Sequence, residues 1–363
     1  MARLKIGFVG TRAPHSFLFL DTLRLIPDTV ESISLVEPDA ARAAKAGAEK
    51  VYPTLDAMLA ADKPDVCFIM LPTDEVEGPA IRCAEAGCPL VIDKHVTNTS
   101  ESLRRILAAC ERHGVKMSTG YTWRYSPVAQ DIRRWIAEGV LGRVFCFDIR
   151  MVTTSAEVRT RDPQFAWLFE KKRSGGGILI WLGCHYVDLV RFILQREVVA
   201  VSAVTARLTG ARSDVEDVAS VSLVLDDGSV GTLHCAYVMP AGLPDAYDTG
   251  LSVWGSEGDV TWEKIVGGAN PTVRLRSVHG GSAGASPSLA RCPERVIQYK
   301  DKLVPQAYGG TQLAVDYFRD MLHRLAAGED HIVTGRDALK VLEICEAAYR
   351  SAETGHRVEL NDE

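Results

Sequence analysis

Roughly the first third of the chain alternates short, mainly apolar runs with amphipathic stretches, and no other feature restricts its fold so strongly. The runs at 4–9, 32–36, 66–71, 90–92 and 115–119 read as strands, and the stretches at 14–25, 39–47, 78–86 and 100–113 as helices. Pro14 suits a first helical turn, and Gly114 follows the last helix as a stop. Strands apolar on both faces and separated by helices belong in a parallel sheet covered on both sides, with right-handed crossovers. The expectation for 1–122 is therefore an α/β, doubly wound domain.

Past Arg124 the rhythm changes. A helix over 128–138 leads to a strand over 144–151, then to a loop holding Trp167 and a helix led by Gly175-Gly176-Gly177. Alternating runs at 219–225, 231–238 and 251–254, joined by turns such as Asp226-Asp227-Gly228, predict a second domain over 123–363 with an antiparallel sheet. The Gly/Ser/Ala-rich stretch 276–290 reads as a mobile loop, and 312–326 and 335–353 as closing helices. At 363 residues, two domains are expected in any case.

Composition narrows function. The 47% hydrophobic and 24% charged residues are ordinary for a globular protein, and a net charge of -6 leaves no basic stripe for nucleic acid. No apolar run looks long enough to span a bilayer and the N-terminus lacks a signal-peptide profile, so no membrane partner and a cytoplasmic location are expected. The nine cysteines show no C-x-x-C pair and no clustering with histidine at metal-ligand spacing; they read as reduced core residues, and no metal is expected.

Two places carry chemistry. The glycine-led helix looks apolar nearly all round yet contains His185 and Asp188, which must find partners or line a cavity. In a doubly wound sheet, ligands bind beyond the carboxyl ends of the strands, so the first turn, Gly10-Thr11-Arg12-Ala13-Pro14-His15, is a nucleotide-site candidate. Only Gly10 survives from G-x-G-x-x-G; Arg12 and His15 fill the other glycine positions, which removes the closest backbone approach and loosens helix packing. Arg12 can compensate by reaching a phosphate with its guanidinium. Glu37, at the end of the second strand and near the spacing of a ribose-holding carboxylate, fits that role or a solvated strand-end or N-terminal helix charge; if a dinucleotide binds, the acid would repel a 2′-phosphate and favour NAD over NADP.

These blocks, together with Leu71-Pro72, the run from Gly87 to Lys94, Arg124 with Pro127, Trp167, Asp217 and the closing stretch Ala348 to Gly355, resemble the Gfo/Idh/MocA family of NAD(P)-dependent oxidoreductases over nearly the full length. The resemblance implies an N-terminal Rossmann-like domain and a C-terminal α/β domain with an open, mostly antiparallel sheet. It also implies homodimers or homotetramers built through that sheet. It assigns cofactor contacts to Gly10, Thr11, Arg12, Glu37, Leu71, Pro72, Thr73, Asp93 and Lys94. Lys94 matches the family lysine between nicotinamide and substrate, and His185 the acid/base; Tyr121, Arg124, Trp167 and Trp181 are implied substrate neighbours. Taken alone, Lys94 also fits a surface lysine at a strand end.

Three departures from the family pattern involve four positions. Trp181 stands where an aspartate precedes the histidine by one helical turn, His95 replaces a proline, and Thr73 and Val76 replace an asparagine and a histidine. The expected activity is oxidation or reduction of a sugar, polyol or related small hydroxy or oxo compound by NAD, with Lys94 as electrophile and His185 as acid/base. Transient use of NAD for elimination or glycoside cleavage, and loss of catalysis with ligand binding retained, stand as alternatives.

Overall fold

The computed structural model describes residues 2–159, 163–210, 212–243, 246–266, 271–278, 294–299 and 312–360. In chain order the elements are β1 (Leu4–Val9), α1 (Ser16–Arg24), β2 (Val30–Val36), α2 (Ala40–Ala46), β3 (Lys50–Tyr52), α3 (Leu55–Asp62), β4 (Val66–Ile69), α4 (Glu77–Glu85), β5 (Leu90–Ile92), α5 (Ser100–His113) and β6 (Met117–Thr119). A 3₁₀ turn (Thr122–Tyr125), α6 (Pro127–Ala137), β7 (Val144–Thr154) and α7 (Ala156–Arg159) follow, then a second 3₁₀ turn (Pro163–Phe169), α8 (Lys171–Ser174), a π-helical turn (Leu179–Gly183) and α9 (Cys184–Leu194). The remainder is β8 (Val198–Ala206), β9 (Val218–Leu225), β10 (Val230–Met239), β11 (Tyr247–Gly255), β12 (Gly258–Glu263), β13 (Thr272–Ser277), β14 (Glu294–Gln298), α10 (Gln312–Ala326), α11 (Gly335–Thr354) and β15 (Val358–Glu359).

Two sheets organise these elements. The first is parallel throughout, in the order β3-β2-β1-β4-β5-β6, the doubly wound arrangement expected. The second has nine strands in the order β14-β13-β12-β11-β7-β10-β9-β8-β15, and only the β7–β10 pair is parallel. The α/β class with a mostly antiparallel second sheet is thus present.

Two compact units emerge. One comprises Met1–Thr122, Pro163–Gly176 and Ala307–Leu342; the other Trp123–Asp162, Gly177–Gln306 and Glu343–Glu363. The first therefore recruits two segments from beyond residue 122. Aromatic packing shows why α10 belongs there: Phe318 stacks on Phe68 of β4 at 5.9 Å and meets Phe19 of α1 edge-on at 4.8 Å. Tyr317 donates to the carbonyl of Thr119.

Several elements differ from the sequence reading. β3 and α3 pass unseen in it because Lys50–Tyr52 is short and exposed at the sheet edge, and α3 buries only Met58 and Leu59. β8, β12, β14 and β15 were likewise not anticipated. Arg276 and Ser277 end β13 rather than entering a loop; 279–290 and Cys292 lie outside the described residues. The helical stretch Lys171–Leu194 does reach the length and apolarity of a membrane span, contrary to the reading above, but 94% of its most apolar window is buried within the protein, as in a core helix. The regular helix expected after the glycines begins instead with the π-helical turn.

Candidate active site

In the first unit, the loops that leave β1, β2, β4 and β5 at their carboxyl ends carry all nine residues assigned to cofactor contact. Gly10 takes φ +75°, and a Cβ there would lie 2.3 Å from Leu71 Cδ2, so the tight turn requires glycine. Glu37 is 6% exposed; its Oε2 accepts from the Thr11 hydroxyl at 2.6 Å and its Oε1 from the Asp39 amide at 3.1 Å. A carboxylate has about four acceptor sites, so this fixed group keeps capacity for ribose hydroxyls. Within the turn, the amides of Gly10, Arg12 and Ala13 donate to carbonyls of Val36 and Met70.

Arg12 forms a two-point ion pair with Glu75. His15, expected to loosen packing in the third glycine position, instead bonds Asp93 through Nδ1 at 2.9 Å and stacks on Phe19 at 6.1 Å. Burial works to raise the Asp93 carboxyl, yet His15 and Lys94 hold it below its ordinary value. Asp93 also accepts from the Lys94 amide at 2.8 Å.

Lys94 is 1% exposed, which rules out a surface lysine. A buried ammonium needs compensating polar groups and is a functional-site signal when it lies in a nucleotide crevice. The Lys94–His95 peptide is cis. His95 Nε2 lies 2.7 Å from the Ser174 carbonyl, and burial, reinforced by the Lys94 charge, lowers the imidazole to about 3. His95 is thus neutral at physiological pH, and a carbonyl partner at Nε2 puts the proton on that nitrogen. Thr73 donates to the Arg173 carbonyl at 2.8 Å. Tyr121 and Trp167 are both buried in this unit.

In the second unit, His185 sits in the first turn of α9, 5% exposed, on a helix whose eleven residues are all buried. Asp188 binds Arg124 in a two-point pair at 3.0 and 2.6 Å, the side chains being 1% and 7% exposed. Arg124 is thereby committed to a carboxylate of its own chain. Trp181 is 6% exposed within the π-helical turn.

The start of this helix depends on Glu216, which the sequence reading missed. Its carboxylate accepts from the amides of Gly177 and Leu179 at 2.7 and 3.0 Å and from Tyr349 Oη at 2.9 Å. Burial raises its pKa despite those bonds. A Cβ at Gly177 would meet the Glu216 carbonyl at 1.9 Å, so the glycine is sterically required. The only signal in sequence was an acid beside Asp217, which itself ties a turn by accepting from Leu208 and Thr209. Among the described residues no His/Cys/Asp/Glu group is arranged to hold a metal. A groove of about 510 Å³ on the second sheet, lined by Ser202, Ser222, Thr232, His234 and Ser351 among others, contains none of these residues.

A doubly wound parallel sheet with a glycine turn after its first strand defines the class of nucleotide-binding α/β folds, and comparison with known proteins gives the kinship. Residues 4–121 match the oxidoreductase family model for an NAD-binding Rossmann fold, and residues 129–261 match the Gfo/Idh/MocA C-terminal domain. The chain belongs to the Gfo/Idh/MocA family of oxidoreductases. It is 27% identical to the D-apiose dehydrogenase of Paraburkholderia graminis over 92% of this chain and 84% of that protein. It is 31% identical to the inositol 2-dehydrogenase of Rhizobium meliloti over 58% and 60% of the two chains. The crystal structure of GenD2 from gentamicin A biosynthesis, in complex with NAD, superposes with a TM-score of 0.78 at 26% identity, covering 100% of this chain and 97% of that one.

Proposed function

We propose that this protein is an NAD-dependent dehydrogenase or reductase of a sugar, polyol or related small hydroxy or oxo compound. The observation that carries the reading is Lys94, a lysine buried to 1% exposure at the carboxyl end of β5. The names of the relatives, which act on apiose and inositol, support a carbohydrate-like substrate. Glu37 supports NAD over NADP, because its anchored carboxylate would repel a 2′-phosphate.

Thr11, Glu37, Leu71, Pro72, Thr73 and Asp93 would frame the dinucleotide around the Gly10 turn. When bound, its nicotinamide supplies the hydride acceptor or donor. In oxidation, the Lys94 ammonium donates to the substrate oxygen and stabilises charge developing there, while the His185 imidazole takes the hydroxyl proton. In reduction the same proton returns from His185 to the carbonyl oxygen. Asp93, anchored by His15, fixes the backbone amide of Lys94 and so its place in the crevice. Tyr121, Trp167 and Trp181 would supply apolar walls to the substrate, with Trp181 taking the place of a hydrogen-bonding acid.

Absorbance at 340 nm, followed over a panel of sugars and polyols, tests this. The wild type is expected to change the redox state of NAD with at least one member, and His185→Ala to lose about 10²-fold or more in kcat with NADH affinity kept. Turnover by the alanine variant at the wild-type rate would remove His185 from the mechanism.

We further propose a cytoplasmic homodimer or homotetramer assembled through the nine-stranded sheet. Val204, Val230, Trp254 and Val296 are exposed on its outer face among serine, threonine and charged side chains, a mixed surface suited to a self-complementary contact.

A further inference from the structure

Arg173 lies far in sequence from the nucleotide turn, yet the first unit delivers it there. Two loops, at the carboxyl ends of β4 and β5, hold the backbone of α8 at three points: Thr73 donates to the Arg173 carbonyl, Asn98 donates to the Lys172 carbonyl at 3.0 Å, and His95 bonds the Ser174 carbonyl. The Arg173 guanidinium then bonds Asp74 at 3.0 Å and Glu75 Oε1 at 2.8 Å. That same Glu75 oxygen accepts from Arg12 Nη1 at 2.9 Å. Two cations from positions 12 and 173 thus meet on one carboxylate at the rim of the crevice, and all three side chains retain solvent access, 41%, 29% and 35% for Arg12, Arg173 and Glu75.

The turn has lost two of its three motif glycines, and the amides of Gly10, Arg12 and Ala13 already donate to carbonyls of the fold. With those three amides engaged, side-chain cations gain weight in meeting a diphosphate that arrives here. Arginine suits this, since its planar fork binds phosphate as it binds carboxylate. We infer that Arg12 and Arg173 together grip the diphosphate of the dinucleotide, and that Glu75 holds the two guanidinium groups in place until the diphosphate displaces it. This deepens the NAD-dependent reading and rests on it. Asp74 remains on Arg173 throughout and keeps that side chain from swinging into solvent.

A carboxylate placeholder makes a prediction that a plain structural tether does not: removing its charge strengthens binding. NADH and ADP-ribose affinities are to be measured by fluorescence titration at fixed ionic strength for the wild type, Glu75→Gln, Arg173→Ala and Arg173→Lys, alongside adenosine, which lacks the diphosphate, by displacement of NADH. Arg173→Ala is expected to weaken NADH and ADP-ribose about tenfold or more while leaving adenosine unchanged, with partial recovery in Arg173→Lys. Glu75→Gln is expected to tighten NADH a few-fold and leave adenosine unchanged. Equal losses for NADH and adenosine in Arg173→Ala, no loss for either, or weaker NADH binding in Glu75→Gln would overturn the inference. A wild type that binds neither NADH nor ADP-ribose would instead overturn the dinucleotide reading beneath it.

Discussion

At the scale of single residues, the β5 loop concentrates ionisable groups in a space that excludes water. Asp93, Lys94 and His95 are all at most 5% exposed; burial works against the Asp93 carboxylate, which His15 and Lys94 still hold below its ordinary value, and burial with the Lys94 charge lowers His95. His95 is held down to about 3, below the 6.5 of a free imidazole, so the unfolded chain takes up a proton that the folded chain refuses. The sign is that of a depressed group: the stabilisation is present above pH 6.5 and is lost as pH falls toward about 3. In chemical denaturation between those limits, the wild type is expected to lose about 1.4 kcal/mol per pH unit more steeply than His95→Gln. Equal slopes would show that His95 does not titrate across folding. Single residues were also where the sequence was hardest to read. Gly10 and Glu37 drew attention through position after a strand and Lys94 only through the family resemblance, but His15 looked like a damaged motif position. Its bond to Asp93 depends on two loops 78 residues apart meeting in space, and no local pattern encodes that.

Among the elements, the helix that carries His185 is held by charged groups at two points. Glu216 satisfies amides at the start of the π-helical turn, where helix donors lack intrahelical partners, and Arg124 clasps Asp188 one turn beyond His185. Asp188→Ala strips a buried guanidinium of its carboxylate and is expected to cost about 3–5 kcal/mol by urea denaturation. Replacing both partners, Arg124→Met with Asp188→Leu, is expected to recover most of that loss, because the desolvated charge is removed with its partner. A single variant as stable as wild type would show that the pair does not hold α9. The outline of the elements was legible where periodicity was strong: α5 and α10 have the bounds their patterns suggested. The π-helical turn was not, because Leu179–Gly183 is non-polar at every position and leaves no polar face from which to count a period.

For the molecule as a whole, the parallel, doubly wound character of the first sheet followed from βα alternation, whereas the membership of the two compact units did not. Residues 163–176 and the α10 segment join the first unit through long-range contacts, Thr73 with Arg173 and Phe68 with Phe318, whose partners are each common residue types in sequence. Assembly belongs to this scale too. Light scattering is expected to report a dimer or tetramer, and Val204→Asp, which puts a charge on a 72% exposed position of the outer sheet face, to shift it toward monomer. A wild-type monomer at micromolar concentration would contradict assembly through that face.

The central proposal is that Lys94 and His185 act on the same substrate oxygen beside a bound nicotinamide. The most direct measurement is a crystal structure of the complex with NADH and a turned-over sugar or polyol. Lys94 Nζ and a ring nitrogen of His185 are both expected within about 2.6–3.2 Å of one substrate oxygen. A complex in which either group lies beyond the reach of a single bridging water, or in which the Trp181 indole occupies the space over the nicotinamide, would contradict it.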